Sequence, residues 1–314
     1  MKKILFFLFT LSMFNTNAQN INALKFASTQ AFEQFVVSKS LTNLQYIDGF
    51  TNYQALKNTF PPPLTPPAEL SQDLPDDDYN ISNDILPVYN KNDYSTIPFL
   101  SDILNTDKVV IIGNWIVRLE LENDRALVLN KTNSSQYNDL ITGNTNNPNI
   151  LSFSTEDDGI EILNQLDNGV SMLSIRLWCS DRYAKRANDT RVAYNGNRKR
   201  LHMEVFYRPA FVLFTLKCNA TAQKRFLRIW WKDWGGIVNT TYMDLRYNVR
   251  CNKKTSFNFQ GNPNGQPGFG GLVSNQPECQ LLAYQTTRAF KNYTFIIDFI
   301  SNNHGAGHVE ISDY

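Results

Sequence analysis

The chain holds three histidines, and two of them sit as His304-Gly-Ala-Gly-His308, a loop spacing at which two rings can clamp a transition metal. Glycines keep a helix from presenting both rings on one face and no third ligand stands nearby, so the segment reads as a flexible, solvated C-terminal loop. The third, His202, falls on the polar side of an alternating stretch beside Glu204 and reads as a surface histidine. Asp76, Asp78, Asn80 and Ser82 alternate like the oxygen ligands of a calcium loop, but Ile81 stands where such a loop needs glycine and Pro87 where it needs a bidentate glutamate. Glu156-Asp157-Asp158-Gly159 reads as a turn in preference to paired catalytic carboxylates. Gly268 to Gly271 lacks the lysine and following helix of a phosphate cradle, and no Gly-x-Ser-x-Gly elbow is present. These residues give no expectation of a metal, a cofactor or a catalytic constellation.

One segment makes a positive case. Arg225 to Trp234 reads Arg-Phe-Leu-Arg-Ile-Trp-Trp-Lys-Asp-Trp. As one strand it places Leu227, Ile229 and Trp231 on one face and Phe226, Arg228 and Trp230 on the other, so a sheet covered on one side cannot bury both adjacent tryptophans. An outward Trp230 flanked by Arg228, Lys232 and Trp234 has the chemistry of a platform for a sugar ring or an anionic polymer, combining ring stacking with positive charge.

The elements that must carry this platform are strands. From Val109 onward the hydrophobic pattern has a period of two: Val109 to Ile112, Trp115 to Leu121 and Ala126 to Leu129 are short strands joined by Gly113-Asn114 and Asn123-Asp124 turns. Ile160 to Leu166, Asn168-Gly169 and Val170 to Cys179 read as a second hairpin. Four inward faces follow: Leu201, Met203, Val205 and Tyr207; Val212, Phe214, Leu216 and Cys218; Met243, Leu245, Tyr247, Val249 and Cys251; Tyr293, Phe295, Ile297 and Phe299. Ile175, Leu177 and Cys179 share the pattern. Upstream, Asn22 to Ser38 repeats its apolar residues at helical intervals, with Ser28 as candidate cap, and the prolines between Phe60 and Asp78 forbid helix or central strand. The expected fold is mainly β (α+β). A leader (1–18), a short N-terminal helical segment (19–59), a Pro/Asp-rich linker (60–86), a small β-meander (87–148) and an antiparallel, sandwich-like β domain (149–314) follow one another.

Hydrophobic residues make up 42% of the 314-residue chain, ample for a packed core. The net charge of +1 hides an asymmetry: Phe60 to Asn168 carries 18 acidic against 5 basic residues, and Arg176 to Lys254 the reverse. Such segments either neutralise each other or leave a basic face for an anionic partner. Nucleic acid is not expected. Cys179, Cys218, Cys251 and Cys279 form an even set without a C-x-x-C pair, which in an exported protein reads as two disulfides. A Cys218 to Cys251 bond is disfavoured if their strands flank a third strand in one sheet, and the other pairings stay open.

Export is read from the first residues. Lys2 and Lys3 precede the apolar run Ile4 to Phe14, Thr16 and Ala18 give the small-x-small spacing of a cleavage site, and Gln19 in place of cysteine excludes lipid anchoring at the new terminus. No stretch beyond the leader is long enough to span a bilayer as a helix. Leu24-Lys25-Phe26-Ala27-Ser28, Asp48-Gly49-Phe50, Pro98-Phe99-Leu100 to Leu104-Asn105, and Ile111-Ile112-Gly113-Asn114-Trp115 follow in an order that resembles a group of exported proteins of Bacteroidota. That resemblance implies a signal peptide, an N-terminal helix and a β-rich C-terminal domain, and it brings no activity with it. The expectation for function is a non-catalytic periplasmic or extracellular binding protein for a glycan or anionic polymer. The competing readings are an enzyme on anionic polysaccharide using carboxylates such as Glu204 or Asp233, and a structural surface protein with an exposed apolar patch.

Overall fold

A computed structural model describes residues 21–38, 50–53, 55, 94, 97, 99–175, 182–226, 229–250, 256–264 and 276–313. The leader, the proline-rich linker with its aspartates, Asp48-Gly49, Gly268 to Gly271, Leu177, Cys179, Arg228 and Cys251 lie outside the described residues. The protein is mainly β, with a minority of helix.

The first sheet has the order β1 (Lys25–Phe26), β2 (Val109–Ile112), β3 (Trp115–Glu120), β4 (Arg125–Asn130), β5 (Ile150–Ser154), with β1 parallel to β2 and the rest antiparallel. The Val-Val-Ile-Ile run of β2 is buried throughout because both faces of the sheet are covered. On one side α1 (Thr29–Ser38) and α4 (Gly159–Asp167) bring Phe32, Phe35, Ile160 and Leu163 against Val110, Ile112, Val117 and Val128. A one-turn helix, α2 (Leu100–Ile103), adds Leu100 and Ile103 to the same core. On the other side α3 (Tyr137–Thr142) packs Tyr137 and Leu140 on Ile111, Ile116, Leu127 and Leu129. Ser28 caps α1, its Oγ accepting from the Ala31 N–H at 3.1 Å.

The hairpin expected at 160–179 is instead a helix. Asp158 caps α4 by accepting the Glu161 N–H, and the Asn168-Gly169 pair terminates it. Gly169 takes φ +76°, its N–H reaches Leu166 O and that of Val170 reaches Gln165 O, the Schellman arrangement. Asn-Gly serves a hairpin or a helix end equally well, and the run Ile-Glu-Ile-Leu-Asn-Gln-Leu fits both periods. The described part of the following stretch holds a 3-10 turn at Met172–Ser174 and no strand.

The larger unit is a sandwich of two antiparallel sheets. One has the order β12 (Glu278–Thr286), β8 (Phe214–Phe226), β7 (Lys199–Pro209), β6 (Ala187–Asn195), with β9 (Ile229–Lys232) also paired to β8. The other has the order β11 (Ser256–Gly261), β10 (Val238–Val249), β13 (Phe290–Ser301), β14 (Gly305–Asp313). The predicted inward residues of β7, β10 and β13 fill the single core between them, together with Phe214, Leu216 and Cys218 of β8. Val212 does not join that face: it belongs to the β7–β8 turn, whose residues Ala210 to Leu213 enter the core of the first sheet.

His304 and His308 are not in a solvated loop. Asn302 and Asn303 turn the chain, and β14 begins at Gly305 and pairs with β13 along its length. The glycines of the His-Gly-Ala-Gly-His segment let β14 lie flush on the facing sheet, for a Cβ at Gly307 would fall 2.7 Å from Met203 Sδ and one at Gly305 3.2 Å from the Ala193 methyl. Cys218 and Cys279 are buried free thiols, which corrects the two-disulfide expectation at these positions. Cys218 is opposite Leu281 and Cys279 opposite Ala220, a diagonal relation with Cα atoms about 7–8 Å apart, beyond the usual reach of a disulfide. The premise used against a Cys218 to Cys251 bond also changes, since β8 and β10 lie in different sheets. Among the described residues no helix is long and apolar enough to cross a membrane.

Candidate functional site

The segment proposed as a platform reverses direction inside the stretch read as one strand. Phe226 ends β8 directly opposite Ile229 of β9, and Arg225 faces Trp230. The ladder then carries Gln223 opposite Lys232, so Trp230 and Lys232 project on the same side as Arg225, Gln223, Thr221 and Asn219. This is the side away from the sandwich core, since the intervening Ala220 and Ala222 belong to that core.

Trp230 is half-buried and not an isolated ledge. The Arg200 guanidinium carbon lies 4.3 Å from its ring centroid and the Tyr194 ring 6.0 Å away. Arg200 is 3% exposed and is oriented by its Nε, which donates to Gln223 Oε1 at 2.7 Å. Lys232 pairs with Glu278 and holds its ammonium 4.9 Å from the centroid of Trp234. Trp234, 77% exposed, stands at the turn after β9. Trp231, on the opposite side from Trp230, is also half-buried, so neither member of the adjacent pair is free in solvent. Arg198, Lys199, Lys224 and Arg225 extend the positive charge at this end of the sheet.

The turn bearing Trp234 is anchored from below. Asp233 accepts from His304 Nε2 at 2.8 Å, and His304 Nδ1 lies 3.2 Å from Ser301 Oγ. Burial alone would raise the Asp233 carboxyl, but the hydrogen bonds from His304 and the Gly235 N–H hold it below the ordinary carboxylate range. This Ser-His-Asp order has the atoms of a hydrolytic relay, yet Ser301 and His304 are 5% and 1% exposed beneath the hairpin ends. The Ile237 N–H also donates to Asn302 Oδ1 at 3.2 Å, binding the same two turns. The arrangement is a clasp that fixes the β9–β10 turn to the β13–β14 turn, and its chemistry is that of positioning.

The other sequence candidates are dispersed. His202 is 8% exposed rather than a surface residue, and its Nε2 is 3.7 Å from Glu204 Oε1. His308 lies on the outer side of the other sheet against Asp298 at 2.6 Å, a hydrogen bond that raises its pKa. Among the described residues no His, Cys, Asp and Glu side chains gather in a group that could hold a metal ion. The acidic run turns the chain at Glu156 and Asp157 and leads into α4 at Gly159, and its Asp158 is built into the joint between the two units: it meets Arg288 at 3.0 Å, while Glu161 meets Arg250 at 3.4 Å.

Of the four platform residues, the structure brings Trp230, Lys232 and Trp234 to one end of a sheet. It adds Tyr194 and Arg200, and the clasp that His304 and Ser301 make with Asp233, all from residues that stand far from Trp230 in the sequence apart from Asp233 itself. Only the register Tyr194–Arg200–Gln223–Lys232 across four strands joins them, and register is not written in any local motif.

The fold and site define a β-sandwich with an aromatic and basic sheet face. No family model, curated protein or solved structure matches the chain.

Proposed function

We propose that this is an exported, non-catalytic binding protein that holds a glycan or anionic polymer on the sheet face around Trp230. Export rests on the leader-like residues 1–18 and on the resemblance to exported Bacteroidota proteins. Binding rests on one observation above all: an aromatic pair, Trp230 and Tyr194, is backed by the Arg200 guanidinium and stands beside the exposed Trp234 at a basic end of the sheet. Planar rings offer stacking area at low cost in side-chain entropy, and the surrounding lysine and arginine residues attract an anionic chain. The same surface serves binding better than turnover, because Asp233 is engaged by His304 and the serine of that relay is covered.

A polysaccharide array probed with the intact protein and with Trp230→Ala and Trp234→Ala tests the reading. Retained ligands should lose at least about tenfold in affinity in each variant, the scale of one aromatic stacking contact. Ligands held equally well by both variants would remove the site. Depolymerisation of a retained polysaccharide by the purified protein would favour the enzyme reading instead.

A further inference from the structure

The edge of a sheet is where one chain can add a strand from another, because an edge strand turns a row of N–H and C=O groups away from its neighbour. Most edges of this fold carry a device that discourages such pairing. β1 is two residues long. β5 is closed at both ends by its own turns, the Ile150 N–H donating to Asn147 O at 3.0 Å and the Ser154 N–H to Asp157 Oδ2 at 2.9 Å. β6 and β14 carry charged residues and meet each other across the sandwich, where the Glu310 N–H donates to Asp189 Oδ2 at 3.0 Å. β12 is broken by a register shift between Leu282 and Tyr284.

β11 has none of these devices. Among the described residues it pairs with β10 alone, in regular register from Ser256 opposite Asn248 to Gly261 opposite Met243. Its sequence, Ser-Phe-Asn-Phe-Gln-Gly, holds no charge and no proline, and Ser256, Phe257, Asn258 and Gln260 are exposed. A regular, uncharged, proline-free edge is the kind that accepts another strand.

The order of its residues selects the partner. Phe257 and Phe259 face the sandwich core, as their ladder partners Tyr247 and Leu245 do, whereas Ser256, Asn258 and Gln260 face outward. From Ser256 to Gln260 the order polar, Phe, Asn, Phe, polar is the same in either direction. Two copies running antiparallel, with Asn258 of one opposite Asn258 of the other, therefore set Phe257 against Phe259 twice and Ser256 against Gln260 twice. This register pairs all five residues and keeps both core faces on one side of the joined sheet. A slip of one residue turns one copy's core face outward, and a slip of two shortens the overlap. The contact is isologous, as a two-fold axis requires, and no like charges meet across it.

We propose that β11 is the contact of a two-fold dimer, in which the four-stranded β11–β10–β13–β14 sheets of two copies join edge to edge into one antiparallel sheet. A single strand pair with its phenylalanines makes a small interface, so the association belongs to the weak class and is read at micromolar concentrations and above. The Trp230 face lies on the other sheet, and this inference neither uses nor tests the reading of that face.

Sedimentation velocity of the full chain, from low micromolar to several hundred micromolar, tests the proposal with Asn258→Asp as the variant. In the monomer the new carboxylate lies opposite Arg246 on β10, a favourable cross-strand pair. In the dimer it lies opposite its own copy, with Cα atoms about 5 Å apart, where like charges repel. The expected result is a monomer–dimer equilibrium in the wild type and a dissociation constant at least about tenfold higher in the variant, with thermal melts verifying that both are folded. Oxidative cross-linking reads the register, scored above the level of the unsubstituted chain, which has four cysteines of its own. Asn258→Cys should yield a disulfide-linked dimer, whereas Gln260→Cys should not, because its copy stands four residues away, roughly 14 Å along the strand. A wild type that stays monomeric throughout overturns a second copy as the occupant of this edge. A dimer that Asn258→Asp leaves intact overturns β11 as the contact, and cross-linking at Gln260 in place of Asn258, or at neither, overturns the two-fold register.

Discussion

Two buried titratable residues respond to acid in opposite directions. Burial, followed by the nearby charge of Arg200, pushes the His202 imidazole down to about 4. Between pH 6.5 and 4 the unfolded chain binds a proton that the folded chain refuses, so stability present above pH 6.5 is lost on acidification, by on the order of 3 kcal/mol. Asp158 is pushed up to about 6, because burial outweighs its attraction to Arg288. The folded chain then takes up that proton first, and acidification from pH 6 toward 4 favours the fold. His202→Gln removes the first effect and leaves the second. The urea midpoint of the variant should therefore fall less than that of the wild type between pH 6.5 and 4; parallel curves would refute the buried, neutral histidine. At this scale the sequence was a poor guide. His202 reads as solvent-facing because a polar residue in an alternating pattern defaults to the surface, and His304 because the glycines that follow it suggest a solvated loop; nothing local announces that a second strand or turn covers either.

For the elements, alternation succeeded wherever a strand has one face on the core. Leu201 to Tyr207, Met243 to Val249 and Tyr293 to Phe299 all lie as their period of two requires. It failed where a short apolar run fits two periods, as at Gly159–Asp167, and where one aromatic and basic run reads as a single strand although Phe226 and Ile229 belong to two antiparallel strands. The glycine-rich start of β14 misled for another reason. Glycine marks flexibility in an isolated chain, but here it marks close approach of two sheets. Gly307 does not need a left-handed backbone, so alanine can adopt its conformation; its methyl would clash with the Met203 side chain and make ordinary contact with the Ala193 methyl at 3.7 Å. Gly307→Ala should destabilise by about 1–3 kcal/mol through overpacking. Gly307→Ala combined with Met203→Ala should lose less than the sum of the two single changes, because the second deletion makes room for the first. Additive losses in chemical denaturation would show that the glycine serves something other than clearance from Met203.

At the scale of the molecule, the segregated charge seen in the sequence finds part of its explanation where the two units meet. Asp124 and Glu161, from the acidic segment, pair with the guanidinium groups of Arg186 and Arg250 from the basic one, Glu156 accepts the Arg186 backbone N–H, and Thr287 and Glu33 add a contact at 3.4 Å. The separation of sign was legible, whereas the partners were not, since they lie from 30 to 89 residues apart. Ion pairs alone hold units together weakly once desolvation is counted, and the stronger link is apolar. The β7–β8 turn places Phe211 fully buried in the core of the first sheet, its ring stacked at 5.6 Å on Phe153 and lying where a side chain at Gly159 would be. The Phe211 N–H donates to Thr155 O and its carbonyl accepts from Gly159, so backbone and ring both cross the joint. A strand pair of the sandwich thus supplies core to the meander, which does not complete its interior alone. The wild-type protein is expected to unfold in one cooperative calorimetric transition. Phe211→Ala, which removes the ring and keeps the turn, should cost about 3–5 kcal/mol and split that transition in two, with the meander melting first because its core has lost the donated side chain. Two well-separated transitions in the wild type, or an undivided shift in Phe211→Ala, would mean that the hairpin tip does not couple the units.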